Sequence, residues 1–414
     1  MGTKLKSPQA VPRYMTAALA LVLVFVCSAQ ATNKYRVLHY FAGRPAENPF
    51  SSLVADSAGN FYGTTVYRSE GCRCGVIFKL TRRRPSEWSY GVIYRFHGAD
   101  GSTPMASLVF DGSGSLYGTT GLGGAYNLGT VFELTPSGNG WKEEVLYSFG
   151  ATAGDLEEPY GPLTPDSDGN LYGTTYGGGT FSEGGVFELK RSGKGWAQSV
   201  LYSFTGGSDG GQPYQPKPVW DSAGNLYGTT QFGGQFNKGV VFELTPGSGG
   251  VWTESVLYSF TGGDDGWLPA SGLTFDGSGN LYGTAFFGGS GWNCDNGCGT
   301  VFELTPYMGQ WTFNVLHAFD GSDGGNPTSL VLDSVGNLYG PASNLDSGAG
   351  PGVVYKLSPS GNGWAETVLH YFNGRGGVEP FGGVVFDKQG ILYGTAEWGG
   401  AAKCMCGVVF SLTP

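Results

Sequence analysis

The chain has 414 residues, with 75 Gly, 22 Pro, 14% charged residues and a formal net charge of −10. So much Gly and Pro approaches a low-complexity composition, but an aromatic content of 14% and a strict repeat argue for a packed fold. An acidic chain with no basic face argues against nucleic acid and anionic membranes as partners; Arg82-Arg83-Arg84 reads as one solvated turn.

Residues 1–31 read as a secretory leader. Lys4, Lys6 and Arg13 start it, Ala17 to Val26 forms its apolar run, and Ala29-Gln30-Ala31 is a small-x-small cleavage site. The run is too short to span a membrane. Lipid attachment through Cys27 is disfavoured by Phe25 and Val26, where small residues are wanted. Cleavage removes three cations and no acid, so the net charge moves from −10 to −13. The mature body, residues 32–414, is expected to be secreted or periplasmic/extracellular and monomeric, with no membrane insertion.

That body opens with an apolar strand, Tyr35 to Phe41. Then Asp-x-x-Gly-x-x-Tyr-Gly recurs seven times, from Asp56, Asp111, Asp166, Asp221, Asp276, Asp333 and Asp387. The intervals are 55, 55, 55, 55, 57 and 54 residues. A fixed period of this length with several short strands per unit is the mark of a β-propeller. The expectation is an all-β, seven-bladed β-propeller with about four antiparallel strands per blade.

The second unit shows how one repeat makes one blade. Residues 107–110 form a short apolar strand, and Asp111-Gly-Ser-Gly114 is a turn in which the carboxylate accepts backbone N–H groups. Residues 115–120 form the second strand, a Gly-rich loop follows, and residues 129–134 form the third. After a turn at 135–140, Trp141 opens the fourth, which ends at Phe149. The third strands share an aromatic at Phe78, Phe132, Phe187, Phe242, Phe302, Tyr355 and Phe410, and the second strands share the repeat Tyr. Both read as packing residues. The last unit stops after its third strand at Leu412, so Tyr35–Phe41 is expected to supply the outer strand of the seventh blade.

The string from Asp276 to Thr284 with Gly299 to Pro306, and its copy from Asp111 to Thr119 with Gly129 to Pro136, resembles the GloVer tandem repeat. That family comprises exported bacterial proteins. The Asp-x-x-Gly-Asn-Leu-Tyr piece is also similar to NHL-type and SMP-30-type β-propellers. The resemblance implies export, often with a C-terminal sorting anchor, which is not seen before Pro414. It implies no activity that transfers to individual residues.

The second-to-third-strand loops and the blade-to-blade loops meet at one end of a propeller. They carry Tyr126, Tyr176, Phe181, Phe232, Phe236, Phe286, Phe287, Trp292 and Trp398, joined by Tyr160, Tyr214 and Trp267. Asp100, Asp209, Asp265 and Asp323 precede Gly in the blade-to-blade loops. Flat rings beside carboxylates suit sugars. The plainer reading is that the rings pack between loops and the Asp residues build turns. Lys217 is the odd basic residue at the start of an inner strand, a solvated residue or a lining of the channel mouth.

Six cysteines fall in three loop pairs, Cys72/Cys74, Cys294/Cys298 and Cys404/Cys406. An even count in an exported chain points to disulfides. Cys294–Cys298 is expected to be local. The other two pairs are expected to be local or crossed between adjacent blades, with a four-thiolate zinc site as the remaining arrangement. Asp166-Ser-Asp168-Gly-Asn170 offers oxygens to calcium, but turn chemistry explains it, and no cofactor is expected. His39, His317 and His370 share one outer-strand position, where other blades carry Arg95, Tyr147, Tyr202 and Tyr258. They lie on different blades and suggest no catalytic centre. The chain therefore reads as a non-catalytic binding or scaffold propeller, with polysaccharide as its ligand. The rivals are a carbohydrate-active lyase or hydrolase using carboxylates at the channel mouth, and a platform for an envelope protein.

Overall fold

The computed structural model describes residues 1–3 and 34–414, except 44–45, 68–71, 73, 85–86, 194, 270, 292, 345–349 and 401–403. The leader expected over residues 1–31 lies, beyond its first three residues, outside the described part, as does Trp292.

Seven antiparallel blades make a β-propeller, with four strands per blade ordered from the axis outward; the blade 1 sheet gains a fifth short strand, Glu47–Pro49, and a two-stranded ribbon pairs Leu156–Glu157 with Gly177–Gly178. In blade 2 these are Val109–Phe110, Leu116–Thr120, Thr130–Ser137 and Gly140–Ser148. The single helical turn among the described residues is the 3-10 turn Ser248–Gly250. Blade 7 is closed by the start of the body: Lys34–Tyr40 pairs with Val408–Thr413.

Each anchor Asp holds its turn as the motif requires. Asp221 Oδ1 accepts from the N–H groups of Ala223 and Asn225, both at 2.8 Å. Its Oδ2 accepts from Asn225 Nδ2 at 2.9 Å and from the repeat tyrosine, Tyr227, at 3.1 Å. Asp166 is engaged in the same way by Asp168, Asn170 and Tyr172. Among the described residues, no group of three or more His, Cys, Asp or Glu is placed to share a metal.

The third-strand aromatics form the inter-blade core. The last Phe of each outer strand meets the third-strand ring of the next blade edge-on: Phe149 to Phe187 at 5.1 Å, Phe260 to Phe302 at 5.3 Å. Phe41 repeats this across the closure, 5.4 Å from Phe78. The Gly of each Tyr-Gly lies under that ring; a Cβ on Gly118 would come within 2.6 Å of Phe132.

Every outer strand carries a bulge at the same place, as between Val145 and Tyr147. In blade 1 the register pairs Tyr94 with Ile77 and Arg95 with Val76. Tyr94, not Arg95, is thus the equivalent of Tyr147. A one-residue slip puts a side chain on the other face of a strand, so the expected place of Arg95 is corrected.

Each cysteine pair lies at bonding distance within its own loop, with Cα separations of 5.3, 5.3 and 5.2 Å for Cys72–Cys74, Cys294–Cys298 and Cys404–Cys406.

Candidate functional site

The residues four and two before every anchor Asp, and those six before five of them, line the axis. They build a channel of about 700 Å³ lined by all seven blades. The mouth layer includes Phe50, Met105, Tyr160, Gln215 and Phe381. The middle layer is Ser52, Ser107, Pro162, Lys217, Gly272, Ser329 and Gly383. The deepest is Val54, Val109, Thr164, Val219, Thr274, Val331 and Val385. Lys217 is the one charged side chain among these described residues.

Aromatic contacts narrow the mouth. Phe50 and Phe381 stack at 4.2 Å, and Phe286 approaches Phe381 at 6.2 Å. Tyr160, Tyr176 and Tyr214 form a triad with centroids 5.4 to 6.2 Å apart. Tyr214 reaches from blade 4 to Met105 of blade 2, with its hydroxyl 3.9 Å from Sδ. Glu397 enters the same neighbourhood; burial first, and then the charge of Glu379, pushes its carboxyl up to about 7. Glu397 and Glu379 escape a reading based on repeats, because the Glu397 position holds Val66, Gly121, Tyr176, Gln231, Phe286 and Ser343 in the other blades.

The loop aromatics divide into three groups. Tyr126, Phe181 and Phe236 occupy one loop position on three consecutive blades, and they are 51%, 54% and 49% exposed. Trp398 is also exposed, at 40%. Tyr176 belongs instead to the mouth triad. Trp267 stacks on Phe287 at 4.7 Å beneath the Lys238 ammonium, 4.2 Å from its ring, while Phe232 pairs through its backbone with Gly211.

The four loop carboxylates are engaged within the protein: Asp100 accepts from the Tyr94 hydroxyl at 2.6 Å and from the His97 N–H at 2.7 Å. Asp209 accepts from Tyr202 and from the Thr205 backbone, and Asp265 from Tyr258 and the Thr261 backbone. Asp323 lies 2.8 Å from His317 Nε2 and accepts from the Asp320 N–H at 3.0 Å. These bonds tie each loop to its own outer strand.

The Gloeobacter/Verrucomicrobia repeat matches residues 23–216, 72–295 and 285–414. The chain belongs to this repeat family. No curated protein sequence matches it. Among solved structures, this GloVer-repeat propeller is similar to the extracellular domain described for a one-component system of B. thetaiotaomicron, BT4673, with 13% identity and a TM-score of 0.55. It is similar to that of a hybrid two-component system of the same organism, BT3049, with 11% identity and a TM-score of 0.52. Each match covers 92% of this chain and 41% of the other. PorZ, a surface component of the type-IX secretion system of Porphyromonas gingivalis, matches with 13% identity and a TM-score of 0.51, over 91% of this chain and 48% of its own. The chain thus spans less than half the length of these structures. At such identities the likeness is one of fold.

The GloVer-repeat propeller also carries acids on its perimeter. Glu143, Glu254 and Glu366 lie on outer strands near Asp100, Asp209 and Asp323 of the preceding blades. Burial first, and the neighbouring Asp charge in addition, push each of them up to about 7. The folded state therefore binds these protons more tightly than the unfolded chain. Their contribution to stability grows as pH falls through 7 and is complete below the unfolded value of 4.5. His39 and His370, lowered by burial to about 4, oppose this below their ordinary value of 6.5. The anchor Asp residues, held low by turn N–H donors against their desolvation, reverse the trend below their ordinary value of 3.8. The melting temperature is expected to be higher near about pH 5.5 than near about pH 8. The triple change Glu143→Gln, Glu254→Gln and Glu366→Gln should raise the value at the higher pH and flatten the profile. A melting temperature that drops on this acidification would refute the assignment.

Proposed function

We propose that this chain is an exported, non-catalytic binding propeller that recognises polysaccharide on its loop face. The observation that carries this reading is the repeated exposure of Tyr126, Phe181 and Phe236 at one loop position of three consecutive blades. A half-exposed ring offers a flat apolar surface to a sugar C–H face, and a row of rings matches successive units of a chain. Trp398 adds a further ring on the loop side. The leader-like segment, the paired cysteines and the likeness to extracellular propeller domains support export. No described helix is long and apolar enough to cross a membrane.

The test incubates the mature protein with a polysaccharide panel and scores co-sedimentation and released sugar together. Binding without release is expected. The triple variant Tyr126→Ala, Phe181→Ala and Phe236→Ala should bind at least about tenfold more weakly, at about 1–3 kcal/mol per lost ring contact, while melting like the parent. Release of sugar would favour the second reading, a carbohydrate-active enzyme. That reading draws on Glu397, a mouth carboxyl with a pKa of about 7 suited to general acid work, and Glu397→Gln would abolish release. Neither binding nor release would leave an envelope-protein platform, the role closest to the printed description of PorZ as a secretion-system surface component.

A further inference from the structure

The middle layer of the channel breaks the repeat at one blade. Six of its seven positions are Ser, Gly or Pro, too short to reach the axis; the seventh is Lys217. Blade 5 makes room for it, because a Cβ on Gly272 would lie 3.1 Å from Lys217 Cβ and 3.1 Å from its backbone N. Across the axis from blade 4 lie blades 7 and 1, with blade 6 next to them. There Gly383 donates its N–H to Ser52 Oγ at 2.8 Å, and a Cβ on Gly383 would come within 2.5 Å of both Ser52 Oγ and Ser329 Oγ. Two hydroxyls thus gather opposite one ammonium.

Among the described residues no carboxylate pairs with Lys217. The side chain is open to channel water, yet it is walled by protein, and that burial draws its pKa below the usual lysine range. Below it the wall is Val and Thr, whose Thr164 and Thr274 hydroxyls donate to carbonyls of the next blade. An unpaired cation in such a place costs stability unless something binds to it.

We propose that the channel binds a small monocarboxylate, its carboxylate held between the Lys217 ammonium and the Ser52 and Ser329 hydroxyls, its ring-sized body lying toward Phe50, Phe381 and Tyr160. The volume of about 700 Å³ is of the size that takes one small organic ligand. One ammonium and two hydroxyls match a single negative charge. No guanidinium lies among the described lining residues to fork a phosphate dianion. Tyr126, Phe181 and Phe236, the exposed rim rings of the loop face, play no part in this site, so it stands or falls apart from polysaccharide binding.

The experiment titrates the mature protein calorimetrically with benzoate and glucuronate, and with benzamide and glucuronamide as neutral partners. At least one carboxylate should saturate, with its amide at least about tenfold weaker, the loss expected for a hydrogen bond to a charged group. Lys217→Met should lose the same factor and melt no lower than the parent, since the ammonium it removes has no carboxylate partner among the described residues. The rim triple variant should keep carboxylate binding. The bound acid should also protect Lys217 from acylation, read by peptide mass mapping, and the amide should not. Equal binding of acid and amide, undiminished binding by Lys217→Met, or no saturation and no protection by either acid at about 10 mM, a limit weaker than specific small-ligand affinities, would overturn the proposal.

Discussion

Deleting residues 34–41 from the mature chain is expected to cost well over about 5 kcal/mol and to leave a protein that associates or fails to fold. These residues supply the whole outer strand of blade 7, paired from Lys34–Thr413 to Tyr40–Val408. They also carry Phe41, 1% exposed, into the core against Phe78. Tyr35 packs 5.5 Å from Phe410 and stacks on His370 at 3.7 Å. Losing one such buried ring alone costs about 3–5 kcal/mol. Removal of the strand also bares Val408–Thr413 as an edge able to recruit another chain. Thermal melting with size-exclusion chromatography checks this. A deleted protein that stays monomeric and melts with the parent would show that the strand is dispensable.

Gly239→Ala is expected to destabilise by about 3 kcal/mol, from left-handed backbone strain plus overpacking. Gly239 precedes the third strand of blade 4 with φ +94, and a Cβ there would lie 2.4 Å from the Thr230 carbonyl oxygen and 2.6 Å from Pro269 Cδ of the next blade. Neither neighbour is the free end of a flexible side chain. The same contact recurs around the ring and across the closure, where a Cβ on Gly407 would meet Pro49 Cδ at 2.5 Å. Gly91→Ala is the control. It has no atom within 4 Å and no positive φ, and its cost should stay within about 0.5 kcal/mol. Urea unfolding midpoints of the two variants separate the cases, and equal midpoints would sink the argument.

The fold was legible because each repeat states its own turns. Asp221, Gly224 and Tyr227 recur at fixed offsets, and the copies check one another. Lys217 was legible as an oddity, because the corresponding positions hold Ser, Gly or Pro. What hid was whatever depends on two blades at once. The place of Arg95 was not hidden in this way: Tyr94 stands two before Phe96 as Tyr147 stands two before Phe149, so the sequence itself carries the right register. The loop aromatics looked alike in sequence, but only packing separates exposed Phe236 from Trp267, which is covered by Phe287 and Lys238. Glu397 carries no repeat signal, and its altered acidity comes from burial and from Glu379, 18 positions earlier in the chain.

The stacked pairs at the closure bear on how a monotonous chain counts. Seven copies so alike allow a miscount: the first strand might as well dock on the third strand of blade 6 and seal a ring of six. The side chains at that false berth differ. In the true ring, Tyr35 lies flat on His370, a half-buried imidazole kept neutral at physiological pH by its lowered pKa of about 4. One blade earlier it would meet His317, already held by Asp323 at 2.8 Å. On the other flank His39 lies flat on Tyr90 at 3.9 Å. Either ring would keep the His39–Tyr90 stack, so the Tyr35–His370 junction alone carries the numbering code that makes the chain reject six and accept seven.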